Sequence, residues 1–385
     1  MRIAYVTQRD PDNITSWSGL HYFIREALRA QGNEVHSLGP LHVVEPFAMR
    51  LRRKFHRHIL RISYMEELEP AVTRGFARQV EEKLARIQAD LIFSTHTQLL
   101  ADLETRLPVV YWTDSNFGGM LNFYADYCNL HPSAVRCGHD IERRALARCA
   151  LAIYTSDWAA HDALHTYGAD PRKVKIVPYG ANITGTRDAV EVRKLIAARP
   201  RDTCRLLFIG RIWDRKGGDH ALAVADELNK SGLPTTLTLA GSGPPDGRAL
   251  PPHVRSLGFV NKGTPEGKRA FDELVASSHF LVLPTRAEAY GLVFCEASSF
   301  GVPSVTTNVG GVPTVVRDGV NGKTFPLTAP ASEWAAFIRG LFADTAAYER
   351  LALSSFAEYE SRLNWQVAGR TVQGLLEAVR VGRLA

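Results

Sequence analysis

"EAYGLVFCEASSFGVPSV", residues 288–305, sets Glu288 and Glu296 eight positions apart in a stretch with no other charge. The segment reads as a helix beginning near Gly291, followed by the start of a β-branched strand at "PSVTT". Glu288 then falls in the loop before the helix and Glu296 about five residues inside it, roughly 7–8 Å further along at ~1.5 Å per residue. Two solvated helix residues would give this spacing. So would two acceptors gripping one polar ligand across a helix start, or the carboxyl pair of an inverting glycoside hydrolase, held ~6.5–9.5 Å apart.

Working outward, short β-branched runs alternate with amphipathic stretches: "RIAYVTQ", "GLHYFIREALRAQG" and "NEVHSLG", then "ADLIFST", "LPVVYWTD", "LAIYTSD" and "VKIVPYG". This is the βαβ pattern of a parallel sheet. After Gly180 the polar, turn-rich "ANITGTRDAVEVRKLIAARPRDT" reads as a hinge, and the cycle restarts with "CRLLFIGR", "TTLTLAGSG", "VRSLGFV", "HFLVLPT" and "PSVTT". A chain of 385 residues, 45% hydrophobic and 22% charged, has room for two cores. The expected fold is therefore α/β, two doubly wound Rossmann-like domains facing across a cleft at the carboxyl ends of their strands. The domains are expected at 1–182 and 183–360, with a C-terminal helix over 361–385 that carries Trp365, Val367, Val372 and Leu375 or Leu376 on an apolar stripe.

Four strand-to-helix junctions carry polar signatures. "TQRDPDNITSWSGLHYF" delivers Gly19 at a helix start, where bare N–H groups favour a phosphate. "LFIGRIWDRKGG" places Arg211 at a strand end and Lys216 five residues on, cations suited to a diphosphate. The quoted segment adds the two glutamates around a helix start, so that a diphosphate could sit between them with ribose hydroxyls on Glu296 and sugar hydroxyls on Glu288. "VVYWTDSNFGG" ends a strand of the first domain with Asp114.

Together these residues resemble the retaining glycosyltransferases of the GT-B fold, specifically the large family 4 of sugar-nucleotide-dependent transferases. "EAYGLVFCE" matches the E-x7-E element, and "ASSFGVPSVTTNVGGVPTVVRDGVNGKTF", the "GR" and "KGG" of residues 210–218, "AGSGP" and "SDWAA" extend the likeness. It is strong over 205–325 and loose over the first 140 residues. The resemblance implies that Arg211 and Lys216 contact the donor diphosphate, Glu296 the ribose and Glu288 the transferred sugar. It further implies that the backbone at Phe259 and Val260 reads the base, that Tyr290, Gly291 and Leu292 lend N–H groups to phosphate, and that the final helix crosses back to the first domain. Many members carry a histidine where this chain has Asp114, which is expected to orient the acceptor or the donor sugar. His96, from an earlier strand end, reads as a buried, satisfied histidine. The implied reaction moves a sugar from a nucleoside-diphosphate sugar to an acceptor hydroxyl with retention, with cations and N–H groups stabilising the departing diphosphate. It needs no cofactor and no metal; the lone D-x-D, Asp10 to Asp12, reads as a chance surface loop. The alternatives are a sugar-nucleotide epimerase, a sugar phosphorylase and a non-catalytic nucleotide-sugar-binding subunit.

Five scattered cysteines with no C-x-x-C spacing argue against a disulfide framework or a zinc site. An N-terminus without an apolar leader points to the cytoplasm. One segment stands apart. "FAMRLRRKFHRHILRI", residues 47–62, holds Arg50, Arg52, Arg53, Lys54, Arg57 and Arg61 and no acid, matching the chain's whole formal excess of +6. Phe47, Leu51, Phe55, Ile59 and Ile62 recur at helical spacing, the pattern of an interfacial helix on an anionic surface. The expected partners are thus a nucleotide sugar, a sugar-containing, small-molecule or lipid-linked acceptor, and an anionic membrane on its inner face touched through residues 47–62; nucleic acid is not among them.

Overall fold

The computed structural model describes residues 1–45, 47–183 and 185–382. Thr184 of the predicted hinge and the last three positions of the predicted C-terminal helix lie outside the described residues. The chain divides into two units, residues 1–178 with 368–385, and residues 179–367.

In the first unit the strands are β1 (Arg2–Val6), β2 (Glu34–Ser37), β3 (Leu91–Ser94), β4 (Val109–Thr113), β5 (Leu151–Tyr154) and β6 (Val174–Ile176), in the order β2-β1-β3-β4-β5-β6. In the second they are β7 (Cys204–Gly210), β8 (Thr235–Gly241), β9 (Val254–Ser256), β10 (Phe280–Leu283), β11 (Ser304–Thr307) and β12 (Gly322–Phe325), in the order β12-β11-β10-β7-β8-β9. Every pairing is parallel. Central strands such as β3, β5, β10 and β11 are buried at every position, because helices cover both faces of a parallel sheet and leave no side for polar residues. In each sheet the chain winds first to one side and then to the other. The reversal falls between β1 and β3 in the first unit and between β7 and β10 in the second, so the loops leaving those strands flank the crevice where ligands bind in such sheets.

The sequence reading placed eleven of these strands and missed β12, whose "GKTF" offers little apolar signal. It also read residues 181–203 as a hinge, whereas a helix spans Ala189–Ala197 there. Asp188 caps it by accepting from the Glu191 N–H, and Val192 and Ile196, one turn apart, are buried. The last helix runs Trp365–Arg380 and buries Ala368, Gly369, Val372 and Leu376. From Ala368 onward it belongs to the first unit, where Gln373 Oε1 accepts from Asn33 Nδ2 at 2.8 Å.

Within the first unit, Glu142 of the helix Pro132–Arg148 ties two site loops together. Its Oε1 accepts from Thr97 Oγ1 and from the Phe117 N–H, both at 3.0 Å, while Oε2 is buried without a partner. Burial pushes this carboxyl up to about 7 against the two hydrogen bonds. With the folded value above the unfolded one, the native state binds more protons across the interval from about pH 4.5 to 7, so this residue's stability contribution is lost as pH rises through it. Glu142→Gln keeps the Oε1 acceptor and cannot ionise. Its stability relative to the parent is expected to rise by on the order of 1–3 kcal/mol between acid and neutral pH in denaturant titrations, and a pH-independent difference would refute the assignment.

Candidate active site

The second unit's crevice is built by two loops that are neighbours in the sheet and far apart in sequence. After β7, Arg211 is exposed, and a single helical turn, Trp213–Lys216, stops at Gly217. Gly217 has φ +74°, and a Cβ there would lie 2.0 Å from the Pro284 carbonyl oxygen, so only glycine lets the turn press against the exit of β10. The two loops are then laced. Arg286 N–H donates to the Arg215 carbonyl at 2.7 Å, Thr285 Oγ1 donates to the same oxygen at 3.2 Å, and Arg215 Nη1 donates to the Ala287 carbonyl at 2.8 Å.

This lacing brings Lys216 Nζ onto Glu288 Oε2, with Arg215 Nη1 3.6 Å from the same oxygen. Lys216 is 9% and Glu288 8% exposed, so a carboxylate and an ammonium are both withdrawn from water and hold one another. The helix Leu292–Ser298 follows, with Gly291 at its N-cap in the left-handed region at φ +92°. A Cβ at Gly291 would meet the Phe294 ring at 2.5 Å. The N–H groups of Gly291 and Leu292, at the helix start, have no protein acceptor among the described residues, as first-turn amides lack an intrahelical partner. Glu296 is the fifth residue of this helix, 4% exposed, and its Oε1 takes Lys262 Nζ at 2.5 Å. That ammonium also lies 3.4 Å from the Asn182 carbonyl and 4.7 Å from the centre of the Phe271 ring.

The two glutamates of the opening segment thus lie on either side of the helix start, as their spacing suggested. Each carries its own lysine. Tyr290 is buried, and its hydroxyl donates to the Tyr179 carbonyl at 2.6 Å, so its side chain serves packing and only its backbone faces the helix start. Arg211 holds its guanidinium 5.2 Å from the centre of the Phe259 ring, and Phe259 is 61% exposed beside partly buried Val260.

In the first unit, Gly19 sits at the N-cap of the helix Leu20–Arg29 with φ +82°, preceded by Trp17 and Ser18 at φ +47° and +57°. Non-glycine residues held there cost of order 1–3 kcal/mol each. Trp17 packs over His21 and His96, with ring centroids 4.8 and 4.5 Å away, and the two imidazoles are 5.5 Å apart. His96 Nδ1 pairs with Thr95 Oγ1 at 2.8 Å, in keeping with a satisfied histidine. His21 is 2% exposed, and neither ring nitrogen has a hydrogen-bond partner among the described residues. Burial, aided by the nearby charge of Arg9, lowers His21 to about 4 and, aided also by His21, lowers His96 to about 3, so both rings are neutral near pH 7. Asp114, at the exit of β4, accepts from Ser115 Oγ at 3.3 Å. Asp12 is ion-paired to Arg25 at 2.6 Å and its N–H is held by Asp10 Oδ1 at 2.9 Å, which gives the D-x-D an internal use. Among the described residues no three His, Cys, Asp or Glu side chains are grouped to hold a metal ion.

Sequence reasoning missed Lys262, Arg215, Trp17 and His21. Lys262 has no local signal, since its partner lies 34 residues later. His21 was passed over because the helix stripe was read from apolar residues alone, although a polar residue on the buried face was itself a signal.

Two parallel, doubly wound units, one with paired acids and bases at its strand-order reversal, place the chain among the α/β proteins that bind ligands at such a reversal. Known sequences narrow this. The family models described as "Glycosyltransferase Family 4" and "Glycosyl transferases group 1" match residues 22–184 and 203–344. The chain belongs to the family 4 glycosyltransferases of GT-B fold. It is 29% identical over 268 residues to the D-inositol 3-phosphate glycosyltransferase of Rhodococcus jostii (strain RHA1), covering 67% of this chain and 57% of that one. It is 34% identical over 214 residues to the glycogen synthase of Mycobacterium tuberculosis (strain CDC 1551 / Oshkosh), covering 52% and 50%. The chain thus spans little more than half the length of the curated relatives it matches. Among solved structures it is similar to sucrose-phosphate synthase from Thermosynechococcus elongatus, with TM-score 0.72, 17% identity and coverage of 99% of this chain and 100% of that one. It is also similar to Anabaena Alr3699/HepE in complex with UDP-glucose, with TM-score 0.64, 18% identity and coverage of 98% and 100%. At these identities the likeness is one of fold.

Since Lys216 and Glu288 neutralise one another out of water, Lys216→Met is expected to destabilise the second unit by about 1–3 kcal/mol, leaving the buried carboxylate only Arg215 Nη1 at 3.6 Å. Lys216→Met combined with Glu288→Gln should recover most of that loss. Denaturant melts of the four members of the cycle measure the coupling, and additive losses would show that the pair is not held as described.

Proposed function

We propose that this protein transfers a sugar from a nucleoside-diphosphate sugar to an acceptor hydroxyl with retention of anomeric configuration, binding the donor in the second unit. The observation that carries the reading is the pair of lysine-held glutamates, Glu288 and Glu296, around a helix start at the strand-order reversal. A departing diphosphate gains negative charge. Arg211, Lys216 and the free amides at Gly291 and Leu292 can meet it without a metal, and Tyr290 can lend its own N–H. When a diphosphate draws Lys216 away, Glu288 is left with open lone pairs for the hydroxyls of the transferred sugar, while Glu296 and Lys262 present an acceptor and a donor to the ribose. Phe259 and Val260 contact the base through their backbone, and Asp114 orients the acceptor or the sugar. The relatives' names support UDP-glucose as the first donor to test and an inositol phosphate as one acceptor. The family models and curated relatives, all glycosyltransferases, do not favour an epimerase or a non-catalytic binding subunit.

Release of nucleoside diphosphate from a donor panel, with and without acceptors, is the test. Arg211→Ala and Lys216→Ala should each lower turnover by tens- to thousands-fold, about 2–4 kcal/mol, and activity should survive chelation. Glu296→Ala should weaken binding of the free nucleotide more than Glu288→Ala does. Silencing by EDTA with rescue by magnesium or manganese would overturn the metal-free reading.

A specific observation also favours peripheral contact with an anionic membrane. The basic segment forms a helix over Phe47–Phe55 and a wider turn over His56–Leu60, ending at left-handed Arg61, so Ile62 falls beyond it. Its apolar row faces water, with Phe47 74%, Leu51 54%, Phe55 50% and Ile59 67% exposed, while Met49 anchors the other side in the core. Arg52 is spent on Glu69, and Arg53 on Glu45 and Glu66. Arg57 and Lys54, for which no acidic partner is found among the described residues, suit lipid phosphates. Among the described residues no helix is long and apolar enough to cross a membrane. Serine at Phe47, Leu51, Phe55 and Ile59 together should abolish co-sedimentation with anionic vesicles at low salt while leaving soluble-acceptor kinetics intact. Equal failure of the parent protein to bind anionic and neutral vesicles would remove the membrane from the account.

A further inference from the structure

Toward the amino ends of the second sheet lies a cavity of about 380 Å³. Its floor follows from strand register. Arg205 of β7 pairs with Thr236 of β8, and Thr238 of β8 with Arg255 of β9, so the four side chains leave one face of the sheet as a diagonal row of cation, hydroxyl, hydroxyl and cation. Two strand spacings across and two residues along put the outer Cα atoms of the row ~12 Å apart. Ser277 and Ser278, which follow the helix Pro265–Ala276, form a wall. No Asp or Glu lines the cavity, and His253, which does, is paired with Asp226 at 2.9 Å.

Nothing in the fold uses either guanidinium. A cation on an edge strand such as β9 deters pairing with another chain, but β7 lies between β10 and β8, where a doubly covered parallel sheet calls for apolar residues, and Arg205 is exposed there. Its main chain is anchored on both sides by His279, whose Nδ1 accepts from the Arg205 N–H at 3.0 Å and whose N–H donates to the Arg205 carbonyl at 2.8 Å. The carbonyl end of the helix Pro265–Ala276 does not need the arginines either. Glu273 and Val275 accept from the N–H groups of Ser277 and Ser278, Leu274 from both serine hydroxyls at 3.2 and 2.7 Å, and Ala276 from Arg199 Nε at 3.2 Å. Among the described residues no partner is found for the side chains of Arg205, Thr236, Thr238 or Arg255.

Donors in a row with no acid among them complement a ligand whose oxygens only accept, and a guanidinium fork at each end suits an oxyanion at each end. Cavities of about 300–1,000 Å³ take small molecules, so a lone ion would underfill this one. We propose that Arg205, Thr236, Thr238 and Arg255 form a second ligand site, which takes a chain of joined phosphoryl groups lying along the row. Ser277 and Ser278, their hydroxyl hydrogens committed to Leu274, turn lone pairs toward whatever body carries that chain. The chain could arrive as a free polyphosphate or as the tail of a nucleotide, and the chemistry recognised is the same. Arg205 precedes Arg211 by six residues, ~20 Å along the strand, so a ligand here touches none of the groups at the crevice. It is bound as an effector and not as a substrate, and the site holds whether or not the transferase reading does.

The full chain, labelled at its threonine methyls, is titrated by NMR with tripolyphosphate, ATP, adenosine and inorganic phosphate at physiological salt. Thr236 and Thr238 then report on the site itself. Saturable shifts at both are expected with tripolyphosphate and with ATP, at least tenfold tighter than with inorganic phosphate, and none with adenosine. Tighter binding of ATP than of tripolyphosphate would identify the nucleotide tail as the source, and equal or weaker binding the free chain. Arg205→Gln and Arg255→Gln, both at exposed positions, should each weaken tripolyphosphate at least tenfold with the Tm unchanged. Arg211→Ala, at the other end of β7, should leave the response of Thr236 and Thr238 as it is in the parent. Absence of saturable shifts with both polyphosphates overturns the proposal. So does a response that survives in the Arg205→Gln, Arg255→Gln double variant and is lost with Arg211, for then the anion is held at the crevice.

Discussion

The contact on which the second unit's chemistry depends is the buried pair of Lys216 and Glu288. It is made possible by a backbone constraint, not by local sequence. β7 and β10 are adjacent in the sheet, and Gly217 lets the turn after β7 touch the carbonyl of Pro284 after β10. Once those loops touch, the Arg215 carbonyl and guanidinium are both committed to the β10 loop, and Lys216 has nowhere to go but toward Glu288. A buried pair of this kind contributes little net stability against an apolar pair of similar volume, because desolvation offsets most of the attraction. Under the proposed transfer, a diphosphate arriving at the helix start would compete for the ammonium and leave the glutamate already in position and already desolvated.

The Glu296–Lys262 pair repeats the device with a different geometry. Glu296 projects from inside the helix, where the backbone fixes it, whereas Lys262 comes from the loop between β9 and the helix Pro265–Ala276. The lysine is also held by the Asn182 carbonyl and the Phe271 face, so it is positioned from three directions. Among the described residues Lys216 forms its ion pair with Glu288 alone, whereas Lys262 is restrained by a carboxylate, a carbonyl and an aromatic face together.

How much of this was legible in the sequence follows from the range of each interaction. Strands and helices are set by periodicities a few residues long, which is why eleven strands and the helix start at Gly291 could be placed. The failures are equally physical. "GKTF" carries too few apolar residues to announce a strand, and Ala189–Ala197 was hidden by polar flanks although Val192 and Ile196 mark its buried side. Of the candidate site, Glu288, Arg211 and Lys216 could be singled out because they sit where strands exit, and Glu296 by its spacing, while the pairing of each acid with a lysine 72 and 34 residues earlier is a tertiary fact with no local trace. The basic segment was read correctly as amphipathic, but sequence alone left open whether its apolar row faced the core. The row faces water, and three of the segment's arginines, Arg50, Arg52 and Arg53, are consumed by nearby glutamates.

The first unit differs from the second in where it keeps its polar groups. In the second, buried charges neutralise one another before any ligand arrives. In the first, the groups at the strand-order reversal are neutral imidazoles, one of them unmet, under an indole held by a strained turn. Ion pairs that trade partners suit a ligand whose charge grows during a reaction, since the site must respond to it. A strained turn and an unsatisfied ring lower the stability of the first unit in isolation, and they persist in a fold only where something offsets them. Here the strained turn is met by the packing of the Trp17 indole over His21 and His96.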